Sequence, residues 1–302
     1  MLFAASMLRR FVIALSLALC SAALAASTPA EGEYEGDGYA AQVFALPDGL
    51  FHIVGWRHGL PGVATNAERI ADGDGSRTGD EIHFKGNIWT AILDAGGELN
   101  GTDDQGHHWT LQRIERASPT LGAKPPPGAV VLFDGSEPSA WTNGRTDDVH
   151  LLRGGTESQQ RFESFTLHLE FRLAGDAPSA GALVIGGYYE IPLRDSFGRE
   201  PDARSCGAIL NRTEPLVNAS FPRSQWQTLD IEFTAAAFDT QDRKTKNAVI
   251  SVSLNGISIH KNQEIAGPTE ELTPETPGPG PVCLRDTGES LRFRNIWVVE
   301  KP

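Results

Sequence analysis

Apolar and polar residues alternate with a period of two through most of the chain after residue 129. In Phe165-Thr-Leu-His-Leu-Glu-Phe-Arg-Leu173, one face carries Phe165, Leu167, Leu169, Phe171 and Leu173. The other face carries Thr166, His168, Glu170 and Arg172. This is the pattern of a strand with one face in a core. Tyr189, Ile191 and Leu193 alternate with Tyr188, Glu190, Pro192 and Arg194, and Leu229, Ile231 and Phe233 alternate with Thr228, Asp230 and Glu232. Ile250, Val252 and Leu254 lead into Asn255-Gly256, followed by Ile257 and Ile259. Asn-Gly between alternating runs predicts a two-residue hairpin, because both turn positions need positive φ. Leu291, Phe293, Ile296 and Val298 form a last strand whose phase slips near Asn295, the mark of a bulge.

Residues 34–116 show shorter runs broken by Gly, Asp and Asn. Strands are expected at Ala41–Leu46, Phe51–Val54, Glu81–Phe84 and Trp109–Gln112. Pro47-Asp48-Gly49 and Asp104-Gln105-Gly106 mark turns. Residues 117–128 include Pro125-Pro126-Pro127, an extended segment that donates no backbone hydrogen bond and serves as a semi-rigid linker or a strap. No long amphipathic helix is predicted. The fold class is all-β: a small all-β domain at 34–116, then a sandwich or jelly roll at 129–300.

The N-terminus changes the picture. Arg9 and Arg10, the apolar run Phe11–Leu19 and Ala23-Leu24-Ala25 read as a secretory signal peptide over residues 1–25. A secreted or periplasmic location follows, with a retained anchor as the alternative. The apolar run is too short for a comfortable span, so no stable membrane insertion is expected after cleavage. Cys206 and Cys283 would then remain, either paired or as separate thiols. The formal charge of −13 argues against nucleic acid, which needs clustered Lys and Arg. No Walker loop, dinucleotide fingerprint or Gly-x-Ser-x-Gly elbow is present.

An ordered series of motifs narrows the reading. It runs through Leu132-Phe133-Asp134-Gly135 with Trp141, Glu170-Phe171-Arg172, and Tyr189-Glu190-Ile191-Pro192-Leu193-Arg194-Asp195-Ser196-Phe197. Gly207-Ala208-Ile209, Trp226-Gln227-Thr228, Leu254-Asn255-Gly256, Leu284-Arg285-Asp286 and Arg292-Phe293-Arg294-Asn295-Ile296-Trp297 continue it. This set resembles the 3-keto-disaccharide hydrolase domain family. Segments 118–128 and Gly59-Leu60-Pro61-Gly62 resemble the N-terminal extension of one subgroup. The resemblance implies a concanavalin A-like jelly roll and action on sugars oxidised at carbon 3. Two departures stand out. The family has Gln where this chain has Pro192, and Gln-Asp-His-Gly where this chain has Arg285-Asp286-Thr287-Gly288.

A 3-keto sugar has an acidic C–H at carbon 2. Cleavage by elimination needs a base and a group to hold the enolate oxygen. Glu190 or Asp195 is the candidate base, and Asp286 a second acid. Glu170, Arg172, Arg194, Arg285 and Tyr188 are the candidate substrate contacts. Clustered carboxylates and the resemblance raise a divalent metal (Ca, Mg or Mn) as cofactor, although no compact metal motif is present. Asp72–Asp80 imitates a calcium loop, but Arg77 and His83 stand where Gly and Glu belong, so it is read as a hairpin loop. His107-His108 beside Asp103 and Asp104 is read as a turn. The other function class is a non-catalytic carbohydrate-binding module, with Tyr188, Tyr189, Trp141, Trp226 and Trp297 as stacking platforms or core residues.

Overall fold

A computed structural model describes residues 30–173, 180–269, 274–288 and 290–301. The expected signal peptide lies outside the described residues. The first domain is a closed eight-stranded antiparallel barrel. Its strands are β1 (Gly32–Gly36), β2 (Tyr39–Ala45), β3 (Leu50–Arg57), β4 (Glu68–Thr78), β5 (Glu81–Gly86), β6 (Trp89–Leu93), β7 (Glu98–Asp103) and β8 (His108–Ile114). β1 pairs with β8 and closes the ring. Tyr34, Val43, Phe51, Ile82, Phe84 and Leu99 fill much of the interior.

The four expected strands are all present. Segment Asp72–Asp80 corrects the sequence reading. It is not a loop: β4 runs to Thr78, and only Gly79 and Asp80 turn. The glycines that suggest a loop serve packing instead. A Cβ on Gly75 would lie 2.4 Å from Phe84, and one on Gly73 would lie 2.6 Å from Trp89. Asp103 makes the expected turn, its Oδ1 accepting the backbone N–H groups of Gln105 and His107 at 2.9 Å.

The second domain is a two-sheet sandwich. Its strands are β9 (Val130–Phe133), β10 (Trp141–Thr142), β11 (Leu152–Arg153), β12 (Thr156–Ser158), β13 (Phe165–Leu173), β14 (Ala180–Ile185) and β15 (Tyr189–Arg194). They continue with β16 (Gln227–Thr234), β17 (Ala237–Phe238), β18 (Lys244–Lys246), β19 (Ala248–Leu254), β20 (Ile257–Ile265), β21 (Val282–Asp286) and β22 (Leu291–Glu300). One sheet has seven strands, ordered β11-β22-β13-β16-β19-β20 with β9 also on β22. The other has five, ordered β10-β12-β21-β14-β15. The apolar phase of β13 and the apolar phases of β14, β15 and β21 meet in one core. The polar phases therefore point outward on opposite sides of the sandwich. Asn255 and Gly256 turn with φ of 54° and 77°, as the hairpin requires. The bulge falls where the phase slips: Asn295 has φ 46°, and the β13–β22 register shifts between His168 and Glu170.

Residues 118–123 are a strap laid on the outer face of the seven-stranded sheet. Ser118 Oγ lies 2.6 Å from Thr228 Oγ1, and Thr120 Oγ1 donates to Asp230 at 2.7 Å. Gly122 N donates to Glu170, and Asn295 Nδ2 donates to Ala123 O at 3.0 Å. The barrel is tied to the sandwich by the Arg69–Glu200 ion pair and by Phe197 packed with Phe44 and Val54.

Candidate active site

The outer face of the five-stranded sheet brings three of the expected residues together. β15 presents Glu190 and Arg194, and β21 presents Arg285. β14 runs between them, with Val184 opposite Glu190 and Ala182 opposite both Pro192 and Arg285. Two strand spacings separate β21 from β15, about 10 Å, so only a long side chain spans the gap. Arg285 does so over the short side chains of β14, and its Nη1 donates to Glu190 Oε2 at 2.9 Å. The Glu190 side chain is 20% exposed and Arg285 50% exposed, so the pair is open to a ligand.

β15 is the edge strand, and its free edge is covered. Gly207 N donates to Pro192 O at 2.9 Å, Leu210 N to Glu190 O at 3.0 Å, and Glu190 N to Thr269 Oγ1 at 3.2 Å. The N–H that Pro192 lacks would point to this edge and not into the ladder. The proline thus costs no sheet hydrogen bond. It does remove a polar side chain from between Glu190 and Arg194.

Two residues on this face were not among the expected site residues. Cys283 lies two positions before Arg285, and its Sγ is 3.9 Å from Glu157 Oε2. Burial, then the Glu157 charge, pushes the Cys283 thiol up to about 11, so it stays protonated and is no nucleophile. Period two on β21 marks Cys283. Glu157 sits in a three-residue strand with too little alternation to be seen. Cys206 is buried in the core and Cys283 is half-buried on the outer face; both are free thiols.

The other candidates lie elsewhere. Asp286 ends β21, where its Oδ1 accepts Gly288 N at 3.1 Å and its Oδ2 accepts Leu291 N at 2.9 Å. Both oxygens hold the turn into β22. Asp195 follows β15 one residue out of phase with Arg194 and faces the junction with the barrel. There burial, then the Asp195 charge, raises the Glu31 pKa. Tyr188 sits at the β14–β15 hairpin, its hydroxyl 2.5 Å from Thr276 Oγ1.

Glu170 and Arg172 occupy the opposite side of the sandwich, with His168. The sequence places their face in solvent, but His168 and Glu170 are fully buried under the strap. His168 Nδ1 lies 2.6 Å from Asp230, and its ring stacks on Trp297 at 5.1 Å. Burial alone would lower the imidazole pKa. The bonds to Asp230 and Glu170 outweigh it and hold His168 up at about 8. Burial alone would raise Glu170. Bonds from His168, Asn295, Arg294 and Gly122 N instead pull it down to about 2. Arg172 lies over Trp226 at 5.1 Å, and Arg294 over the same ring at 3.9 Å. This network holds the strap, and its two central side chains, His168 and Glu170, are closed off from solvent. Trp141 is also a core residue, its indole donating to Leu132 O at 2.8 Å.

Among the described residues no group of three or more His, Cys, Asp or Glu side chains could hold a divalent metal. No described helix is long and apolar enough to cross a membrane.

A family profile and one solved structure agree with this architecture. The profile of the 3-keto-alpha-glucoside-1,2-lyase-like domain matches residues 128–299. A crystal structure of a proposed glycosyl hydrolase from Parabacteroides distasonis has a TM-score of 0.53 at 26% identity, over 58% of this chain and 85% of that one. A second proposed glycosyl hydrolase from the same organism gives a TM-score of 0.42 at 14% identity, over 58% and 94%. No curated protein matches the chain. The match takes in the whole sandwich and more than half of the chain, which belongs to the 3-keto-alpha-glucoside-1,2-lyase-like domain family, a carbohydrate-active family of the hydrolase and lyase type.

Proposed function

We propose that this chain cleaves 3-keto-glycosides on the outer face of its five-stranded sheet. The carrying observation is the solvent-open Glu190–Arg285 pair on the short-side-chain surface of β14. Glu190 is the base. Its carboxylate takes the proton from carbon 2, and the C–H electrons form the enolate. Arg285 swings its guanidinium from Glu190 to the enolate oxygen, with Arg194 beside it. Collapse of the enolate forms a double bond between carbons 1 and 2 and expels the glycosidic oxygen, which takes up the proton that Glu190 carries and so restores the carboxylate. Water then adds across the double bond, so the net reaction is hydrolysis; without that step it is a lyase reaction. This route needs no carboxylate pair of the usual glycosidase kind.

We further propose that the chain is exported. Arg9-Arg10, the apolar run Phe11–Leu19 and Ala23-Leu24-Ala25 support a cleaved leader and a secreted or periplasmic site of action. Pro192, standing between Glu190 and Arg194, favours a second reading in which the same face binds sugar without cleaving it. The test is to incubate the full chain with a panel of 3-keto-disaccharides, with and without divalent cations, and to follow release of the free sugar. Cleavage sustains the proposal. Calorimetric binding without product favours the second reading, and neither response removes both.

A further inference from the structure

The barrel domain has no role in that chemistry, yet one end of it is hollow. Its interior is built in two layers. At one end large side chains such as Phe51, Phe84 and Leu99 fill the ring. At the other the inward positions are small. Gly55 on β3 faces Ala71 on β4, a Cβ on Gly55 lying 3.1 Å from that of Ala71. Gly86 and Gly101 have no room for a Cβ, because the rings of Trp89 and Trp109 already occupy that space. The glycines let the two indoles lie flat against the wall. Trp89 and Trp109 share the phase of the core residues Ala91 and Leu111, so both rings are inside the barrel. They meet at 6.3 Å and 64°, edge to face.

What remains is a hollow of about 860 Å³ floored by Ala41, Ile53 and Leu111. An eight-stranded barrel is just wide enough to be filled by side chains or to hold one small ligand. Here small residues in one layer leave the space, and the volume suits a ligand of disaccharide size. Its rim keeps apolar side chains in solvent, with Tyr39 40%, Ile70 39% and Ile88 60% exposed.

We infer that this cup is a second sugar-binding site, which takes the non-reacting end of a neutral glycan against Trp89 and Trp109. The ring faces suit the C–H surface of a pyranose. Tyr39, Asn87 and Asp37 line the mouth and suit its hydroxyls. A wholly apolar ligand would strip water from these groups without replacement. A cation is disfavoured, because the Asp72 and Asp103 carboxylates at the rim are already paired with Arg69 and His107. The choice of a sugar rests on the carbohydrate reading above; the hollow itself does not.

The test measures binding of unoxidised neutral disaccharides (maltose, cellobiose and laminaribiose) to the full chain, by calorimetry and by tryptophan fluorescence. Such sugars lack the keto group, so binding is read without cleavage. At least one is expected to bind and to change the fluorescence. Ala71→Phe, which fills the cup, should weaken that binding at least tenfold while release of sugar from 3-keto substrates persists. Ile88→Ser, at an exposed rim position that cannot disturb folding, should weaken it severalfold. Binding unchanged by both substitutions overturns the inference, as does a panel in which no sugar binds. So does displacement of the sugar by an apolar probe such as a fatty acid with higher affinity. Loss of cleavage with binding intact would count against the proposed chemistry alone.

Discussion

The two outer faces of the sandwich carry nearly the same chemistry in the same alternation and expose it to very different degrees. β13 and β22 present Glu170 with Arg294; β15 and β21 present Glu190 with Arg285. Each pair is a single charge-assisted hydrogen bond, of 2.7 Å and 2.9 Å. The difference is what lies on top. Glu170 is fully buried beneath the strap, whereas Glu190 keeps part of its side chain in solvent. A buried carboxylate has its lone pairs taken by fixed donors and is a structural member. An open one can exchange its guanidinium partner for a substrate.

The largest expected effect breaks this comparison on the open side. Glu190→Gln keeps the shape and removes the base. It should lower the rate of 3-keto-glycoside cleavage by about 10²–10⁴-fold while leaving the melting temperature unchanged. Steady-state rates beside a thermal scan check both halves. A variant of near-normal rate would show that the open pair is not catalytic.

Next comes the covered side. Glu170→Ala takes the carboxylate from the Arg294 guanidinium, the Gly122 N–H and the Asn295 amide, which keeps its bond to Ala123 O. Removing one member of a buried charged network costs about 3–5 kcal/mol, and Arg294, partly exposed, recovers some of this through solvent. The expected loss is about 2–4 kcal/mol of unfolding free energy in urea titration. The rate per folded molecule should hold. A stable, inactive Glu170→Ala protein would reverse the assignment of the two faces.

These faces also mark the limit of what the sequence discloses. Period two fixes which residues of β13 and β15 face the core, and Asn255-Gly256 and the slip at Asn295 locate a turn and a bulge, because these are local constraints on backbone and burial. Whether an outward face meets water or another segment is not local. Ser118, Thr120 and Gly122 meet residues 48 to 110 positions away, and no periodicity in 118–128 announces that contact. Glu170 and Arg172 therefore read as site candidates on the same signal as Glu190 and Arg194. Asp286 is a related case: its carboxylate is used up by two backbone N–H groups in a turn, which residue type alone does not reveal. In the barrel the glycines of β4 read as loop because their packing partners, Phe84 and Trp89, come from the next two strands.

The pH dependence sharpens the contrast further. The His168 pKa is raised in the folded chain, from 6.5 to about 8. Its stabilising contribution is full below pH 6.5 and is lost as pH rises through about 8. The shift is worth on the order of 1–2 kcal/mol. Glu170 is depressed from 4.5 to about 2, so its contribution is present above pH 4.5 and is lost as pH falls towards 2. Unfolding free energy measured from pH 6 to pH 9 should fall by that amount. Asp230→Asn, which removes the Nδ1 partner's charge, should flatten the fall. A profile level through this window would mean that His168 does not titrate under the strap.

The smallest effect concerns the strap itself. Thr120 donates to Asp230 and contacts the Thr228 hydroxyl, and Asp230 in turn holds His168. Thr120→Ala deletes hydrogen bonds at the strap while leaving Gly122 N on Glu170. A hydrogen bond to a charged acceptor contributes about 1.5–3 kcal/mol when buried, but Asp230 is 27% exposed and water can replace the lost donor. The expected loss is about 1 kcal/mol, with the Asp230–His168 pair intact and the alkaline fall in stability retained. If Thr120→Ala abolished that fall instead, the strap would be holding the imidazole in its charged form by positioning Asp230, against the burial that its cover imposes. Amide exchange at Gly122 separates the two outcomes: slow exchange in the variant means that the cover stays down without Thr120, and fast exchange means that the threonine is what keeps it closed.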